Sequence, residues 1–382
     1  MSVDVLHVIN GLDVGGAERS LTNLLGAGLA DGGSHGVTHG VVSLQDAGAF
    51  GSELASAGVP LWTLGMRRGI PTPAALARLR GVVRKAQPRL LQGWMYHSNL
   101  AAALVRPRKS ILCWNIRQTL ESLTQEKPLT RWVVRANRAL VKRAAVVIYN
   151  SRTAQQQHAR LGFAASHSTV IANGVDTERF QPNAEFRSDL RKELSIPQDA
   201  PVIGHAARYH PMKNHAGFFS AAAQVAQRHP DAHILVAGPG VDADNSTVRE
   251  LAQGLNPECV HLLGERHDMP RVLAALDVLC SSSAWGEGFP NVVAEAMASG
   301  VQCVVTDVGA SAELVGDTGA AVPVVDARVP VDALANALAQ MLAAPPEERR
   351  AAGLRARERV LQHFGLQRCV SAYQDLYASL LG

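Results

Sequence analysis

Short apolar runs recur along the chain, separated by stretches with helical spacing or by turn residues. Residues 5–9, 40–44, 61–64, 90–97, 111–116 and 146–149 read as buried strands. Helical segments are expected from about residue 20, then over 51–57, 74–86, 99–105 and 130–143. The helix at 74–86 is opened by the turn Pro71-Thr72-Pro73. A polar, Pro-containing stretch runs from Asn173-Gly174-Val175-Asp176 through Pro182. The alternation then resumes with strands at 202–207, 233–237, 260–263 and 278–281. A helix at 269–275, another at 292–298, a strand at 301–306 and a helical region at 333–381 follow. Strand alternating with helix over this length predicts α/β architecture with parallel sheets.

Composition narrows this picture. A chain of 382 residues with 47% hydrophobic and 18% charged residues suits two globular domains. The start, M-S-V-D-V-L-H-V-I-N, has no basic leader and reads as a first core strand. No apolar run approaches the roughly 20 residues needed to span a bilayer. Cys113, Cys259, Cys280, Cys303 and Cys369 show no C-x-x-C spacing, so reduced, buried thiols in the cytoplasm are expected. The net charge of +4 hides an asymmetry. Residues 1–172 carry 20 Lys/Arg against 8 Asp/Glu, net +12; residues 173–382 carry 17 against 25, net −8. A basic first half points to an anionic surface or substrate near it.

The chemistry concentrates in S-S-S-A-W-G-E-G-F-P-N-V-V-A-E-A-M-A-S-G-V-Q-C-V-V-T-D-V-G-A-S-A-E-L-V, residues 281–315. It reads as strand, Gly-rich loop, helix, strand. Pro290 suits a first helical turn, where its missing N–H has no intrahelical partner, and Ser299-Gly300 stops the helix. Free N–H groups and the helix dipole make such a loop a place for phosphate. A carboxylate at its mouth, Glu287, makes sense for a ligand that also offers hydroxyls. Glu295, about two turns on and near the same face, suits the paired hydroxyls of a ribose. Phosphate, ribose and hexose hydroxyls together describe a nucleotide sugar.

Other stretches add to this reading. Arg208 and Lys213 lie in one loop after a strand and suit a diphosphate leaving group. His97 ends a strand, the edge where ligands of open α/β sheets gather. Residues 10–19, N-G-L-D-V-G-G-A-E-R, form a Gly-rich loop without the G-x-G-x-x-G fingerprint, which disfavours a dinucleotide oxidoreductase. Arg131, Arg135, Arg138 and Lys142, spaced by four, three and four, fall on one helical stripe. That stripe either docks on an anionic membrane or lipid-linked phosphate, or is a solvated face. Asp242-Ala243-Asp244 matches a D-x-D metal pattern but lies away from these residues, and no metal is expected there.

E-G-F-P-N-V-V-A-E-A-M-A-S-G, followed by T-D-V-G and E-L-V, resembles the retaining glycosyltransferases of family 4. G-G-A-E in the first loop and N-G-V-D at the crossing resemble them too, so the likeness runs the length of the chain. It implies the GT-B arrangement: two doubly wound Rossmann-like domains facing across a cleft. The expected acceptor-side domain is 1–172, the donor domain 173–363, and 364–382 a helix crossing back. The implied reaction moves a hexose from a UDP- or GDP-type sugar to a hydroxyl, without metal or cofactor. Glu287 would hold sugar hydroxyls and Glu295 the ribose. Gly288 and Phe289 would offer backbone N–H groups, with Pro290, Asn291 and Val292 beside them. His97 would polarise sugar and phosphate. Gly15, Gly16 and Glu18 would line the first loop, Arg117 an acceptor loop, and Arg266 a segment reading the base largely through backbone. The family usually has Gly where Ala207 stands, which narrows the room near phosphate. The expected acceptor is a lipid-linked saccharide of bacterial lipopolysaccharide, capsule or exopolysaccharide synthesis, at the inner membrane face; nucleic acid is not expected. A nucleotide-sugar epimerase and a non-catalytic nucleotide-sugar binder are the alternatives.

Overall fold

The structure is a computed structural model and describes residues 2–13, 15–30, 36–66, 72–325 and 328–382. Val14 of the first loop and Pro71 of the expected turn lie outside the described residues. The chain forms two compact units, Met1–Gly174 with Leu366–Gly382, and Val175–Gly365.

The first unit runs β1 (Val5–Ile9), α1 (Gly16–Ala30), β2 (His39–Ser43), α2 (Gly51–Ser56), β3 (Leu61–Thr63), α3 (Pro73–Ala86), β4 (Leu90–Trp94) and α4 (Met95–Val105). It continues with β5 (Ile111–Ile116), α5 (Pro128–Leu140), β6 (Val146–Tyr149), α6 (Arg152–Arg160) and β7 (Ser168–Val170). The seven strands are parallel, in the order β3-β2-β1-β4-β5-β6-β7. Alternate residues feed opposite faces. Leu6 and Val8 join the core of Leu79, Leu100 and Trp114. Val5 and Ile9 join Leu24, Trp94, Tyr373 and Tyr377 on the other face. Burial on both faces is why these strands read as continuous apolar runs.

The second unit runs α7 (Ala184–Glu193), β8 (Val202–Ala206), α8 (His215–Arg228), β9 (His233–Ala237), α9 (Ser246–Ala252), β10 (Val260–Leu262), α10 (Met269–Ala274) and β11 (Val278–Ser281). Then come α11 (Asn291–Ala298), β12 (Gln302–Thr306), α12 (Ser311–Val315), β13 (Ala320–Val322), α13 (Val331–Ala343) and α14 (Pro346–His363). Its sheet is β10-β9-β8-β11-β12-β13, again parallel. The last helix, α15 (Leu366–Leu381), belongs to the first unit and buries Val370, Tyr373 and Tyr377 there. Among the described residues no helix is long and apolar enough to cross a membrane.

Both sheets reverse their winding once, between β1 and β4 and between β8 and β11. Such a switch point opens a crevice at the carboxyl ends of its strands, where ligands of this architecture bind.

Several expectations change in detail. The strand expected over 90–97 stops at Trp94, because Met95 takes a left-handed backbone (φ 68°) and starts α4. His97 therefore sits in the first turn of a helix rather than at a strand end. A Cβ on Gly93 would lie 2.6 Å from the Asn99 Cα, so the strand-to-helix bend needs glycine there. The helix expected over 130–143 is α5 followed by a tight turn at Val141–Arg143. Pro290 precedes α11 as its cap (φ −76°, ψ 94°) instead of occupying its first turn. The C-terminal helical region divides into α13, α14 and α15.

Candidate functional site

Three loops of the second unit converge on Glu287. It follows β11, in the loop leading to α11, and is only 6% exposed. The Lys213 ammonium, at the end of the β8–α8 loop, donates to its Oε1 in an ion pair. The Ser283 hydroxyl donates to the same oxygen at 2.6 Å. From the β12–α12 loop, Gly309 (φ +66°) lies so close that a Cβ would stand 1.6 Å from the Glu287 carbonyl oxygen. On the other side, a Cβ on Gly286 (φ +76°) would stand 2.8 Å from Met212 Sδ. The Ala284 N–H donates to the Met212 carbonyl at 2.8 Å, which ties the two loops together. A half-buried lysine and a buried carboxylate thus stand at the switch point between β8 and β11.

The rest of the motif continues from there. Gly288 and buried Phe289 follow, the Phe289 ring tilted against Phe364 at 5.5 Å. Asn291 and Val292 open α11, whose first N–H groups have no intrahelical acceptor. Val293 and Ala294 donate back to the Pro290 carbonyl. Glu295 lies half-buried on the second turn of the same helix. Arg208 is exposed two residues beyond β8, and no described bond joins it to Glu287. Gly238 (φ +146°) packs under that loop, where a Cβ would stand 2.2 Å from the Ala207 carbonyl. The tight backbone approach therefore falls on Gly238, beside Ala207.

The remaining candidates separate into two groups. Gly15 precedes α1 and Gly16 starts it, with the Gly15 carbonyl accepting from the Arg19 N–H at 3.0 Å, and Glu18 is in its first turn. With His97 they flank the other switch point, between β1 and β4. Burial lowers the His97 pKa and keeps its ring neutral near pH 7.

Arg117 and Arg266 are engaged elsewhere. The Arg117 guanidinium is 8% exposed and donates to Asn115, to the Tyr373 hydroxyl at 2.9 Å and to Asn173. It also stacks 5.3 Å over Trp94. In this structure it ties α15 to the sheet of the first unit. Arg266 follows β10, two strands from the switch point, and grips Asp268 at 2.7 and 2.6 Å. That pairing holds its pKa above, and that of Asp268 below, the ordinary value. Asp242 caps its own turn by accepting from the Asp244 and Asn245 N–H groups.

Sequence reasoning passed over Ser283 and Gly309. The serine triplet at the end of a strand, with Ser283 four positions ahead of Glu287, is the available signal for the first.

Two Rossmann-like units share a 3-2-1-4-type strand order, and one bears a lysine–glutamate pair close to helix starts. Residues 14–179 match the family model described as Glycosyltransferase Family 4, and residues 200–344 the model described as Glycosyl transferases group 1. The chain belongs to the family 4 glycosyltransferases. It is 27% identical over 279 residues to the lipopolysaccharide core biosynthesis mannosyltransferase LpsB of Rhizobium meliloti, covering 70% of this chain and 76% of that one. It is 28% identical over 219 residues to the Escherichia coli UDP-Gal:alpha-D-GlcNAc-diphosphoundecaprenol alpha-1,3-galactosyltransferase, covering 56% of this chain and 54% of that one. With a Bacillus subtilis relative the match spans only 35% of that protein's length. Among solved structures, HepE of Anabaena in complex with UDP and glucose superposes with a TM-score of 0.83 at 22% identity, over 99% of this chain and 100% of that one. WaaG, a glycosyltransferase involved in lipopolysaccharide biosynthesis, gives 0.71 at 15% identity, over 98% and 99%. At such identities the two structures bear on the fold alone.

Proposed function

We propose that the protein transfers a hexose from a nucleoside diphosphate sugar to a hydroxyl of a lipid-linked saccharide in bacterial lipopolysaccharide or exopolysaccharide synthesis. The single observation that supports this most is the cluster of Lys213, Ser283 and Glu287 beside the start of α11. A cation and a helix N-terminus attract the diphosphate, while the carboxylate accepts sugar hydroxyls. Arg208, at the same sheet edge, adds a second positive charge for the leaving group. Glu295 is assigned the ribose, and neutral His97 a hydrogen bond to the sugar or its phosphate.

In this reading the acceptor oxygen attacks the anomeric carbon from the face that the diphosphate leaves. The new glycosidic C–O bond forms as the old C–O bond to phosphate breaks, and the acceptor proton passes to the departing phosphate. The configuration is retained, and Arg208, Lys213 and the helix N–H groups carry the phosphate charge without a metal. The relatives support the acceptor class: one, by its name, acts on a diphosphoundecaprenol-linked sugar, and another builds lipopolysaccharide core.

A thermal-shift screen of UDP, GDP and their hexose derivatives tests the donor, since a tight ligand raises the melting point by mass action. The identified donor is then incubated with lipid-linked acceptors in the presence of EDTA. Retained anomeric configuration in the product supports the reading. Conversion of the sugar nucleotide without acceptor identifies an epimerase instead, and binding without turnover on any acceptor a non-catalytic binder.

A further inference from the structure

The serine pair leaving β11 touches both halves of the charged cluster. Ser283, 1% exposed, donates through Oγ to Glu287 Oε1 at 2.6 Å. Ser282, fully buried, donates through Oγ to the Lys213 carbonyl at 3.0 Å and the Asn214 carbonyl at 3.2 Å. The segment that holds both is itself clamped. Thr306, the last residue of β12, donates through Oγ1 to the Ser283 carbonyl at 2.5 Å and the Ser281 carbonyl at 3.3 Å. Consecutive residues leaving a strand project to opposite sides. One hydroxyl therefore reaches the lysine turn and the other the glutamate.

We infer that Ser283 and Ser282 are positioning residues with separate duties: Ser283 sets the carboxylate that grips the transferred sugar, and Ser282 sets the lysine turn that grips the diphosphate. The inference rests on the donor reading given above. In the present state Lys213 and Ser283 share one carboxylate oxygen. A bound diphosphate draws the ammonium toward phosphate, because two negative groups then compete for one cation. Glu287 loses its charged donor at that moment. The neutral Ser283 hydroxyl has no such competitor and stays, so it goes on holding the buried carboxylate in its orientation toward the sugar. Ser282 acts on backbone carbonyls at the base of the lysine, so its effect follows the diphosphate and not the sugar.

The test is calorimetric titration of the full chain and its variants with UDP, UDP-glucose, GDP and GDP-mannose. For whichever nucleotide pair binds the wild type, Ser283→Ala is expected to weaken the sugar nucleotide by about tenfold relative to the bare diphosphate, the scale for one hydrogen bond to a charged group. Ser282→Ala is expected to weaken both members by the same factor, leaving their ratio unchanged, and to add no further loss in a Lys213→Ala background. Ser283→Thr restores the ratio, and Ser283→Ala adds no further loss in a Glu287→Ala background. A Ser283→Ala variant whose ratio stays at the wild-type value overturns the inference. So does one that weakens both members equally, since Ser283 then does not act through the sugar; and a Ser282→Ala loss that recurs in full in the Lys213→Ala background, as a merely structural serine would give, overturns the second duty. If the wild type binds one pair and these ratios fail, the inference falls alone. If it binds none of the four, the donor reading falls and takes the inference with it.

Discussion

The two sheets share one winding order, yet their switch points carry different chemistry. Between β8 and β11, an ammonium, a carboxylate and a hydroxyl meet in a bonded cluster, at the foot of a helix. Between β1 and β4 stand a pair of glycines, Glu18 at the start of α1, and a half-buried imidazole that burial keeps neutral. Overall charge runs the opposite way, +12 over residues 1–172 and −8 over 173–382. The second unit therefore holds its cations locally, against an acidic background, while the first spreads basic charge over its surface. Topology locates a crevice in each unit; the side chains decide what it binds.

Acid is expected to erase this contrast altogether, with the largest effect of all. Both units bury histidines whose neutral form burial favours. In the first, His39 and His158 are lowered to about 4, and His7 lies well below the ordinary value. In the second, His215 and His261 are lowered to about 4 and His205 to about 3. Each folded value lies below the unfolded one of 6.5, so the unfolded chain binds more protons in acid. Their stabilising contribution is complete above pH 6.5 and is lost as pH falls toward 4. Circular dichroism melts at pH 7, 6 and 5 should show a steep fall in melting temperature. A flat profile across that range contradicts the sign.

At neutral pH, substitutions at the two switch points should separate. Glu287→Ala removes the carboxylate and leaves Lys213 without its ion-pair partner, and should lower kcat/KM by at least about 100-fold. Glu295→Ala should follow at about 2–3 kcal/mol of donor binding, the scale for a charged hydrogen bond. His97→Ala, which removes a neutral group, should cost only about tenfold in kcat/KM. Steady-state kinetics with saturating acceptor gives all three. A His97 effect larger than that of Glu287 would reverse the ranking of the two crevices.

The sequence displayed the framework more clearly than the contacts. Parallel strands buried on both faces, such as Val5–Ile9 and Val202–Ala206, appear as apolar runs between glycine turns, and the alternation of elements follows. The pairing of Lys213 with Glu287, 74 positions apart, is not visible in any local spacing. Nor is the role of Gly309, which depends on where a carbonyl 22 residues earlier comes to lie. β7, Ser168–Val170, follows polar Ser166-His167 and has no apolar run of its own to show. The partners of Arg117 are equally out of sight in the sequence. Only the fold supplies the Tyr373 hydroxyl and the Asn173 side chain that draw it inward.

The smallest expected effect concerns the outer face of α5. The four cations Arg131, Arg135, Arg138 and Lys142 share a stripe in sequence, but the structure divides them. Arg131 donates to the Glu126 carbonyl at 2.7 Å and the Thr124 carbonyl at 2.8 Å, holding the preceding loop. Arg135, Arg138 and Lys142 remain exposed, together with Trp132 at 53% and Leu129 at 41%. An exposed tryptophan among cations has the composition of a helix that lies in a membrane interface. Lys142→Gln should weaken binding to anionic phospholipid vesicles by about fivefold at low salt, since one cation near such a surface is worth about 1 kcal/mol. Arg131→Gln should leave vesicle binding nearly unchanged and lower the melting temperature instead. Flotation at low and high salt reads the first, and thermal melting the second. Wild-type protein that stays with the soluble fraction on anionic vesicles at low salt removes the membrane role from α5, and leaves its basic face to solvent or to the acceptor's phosphate.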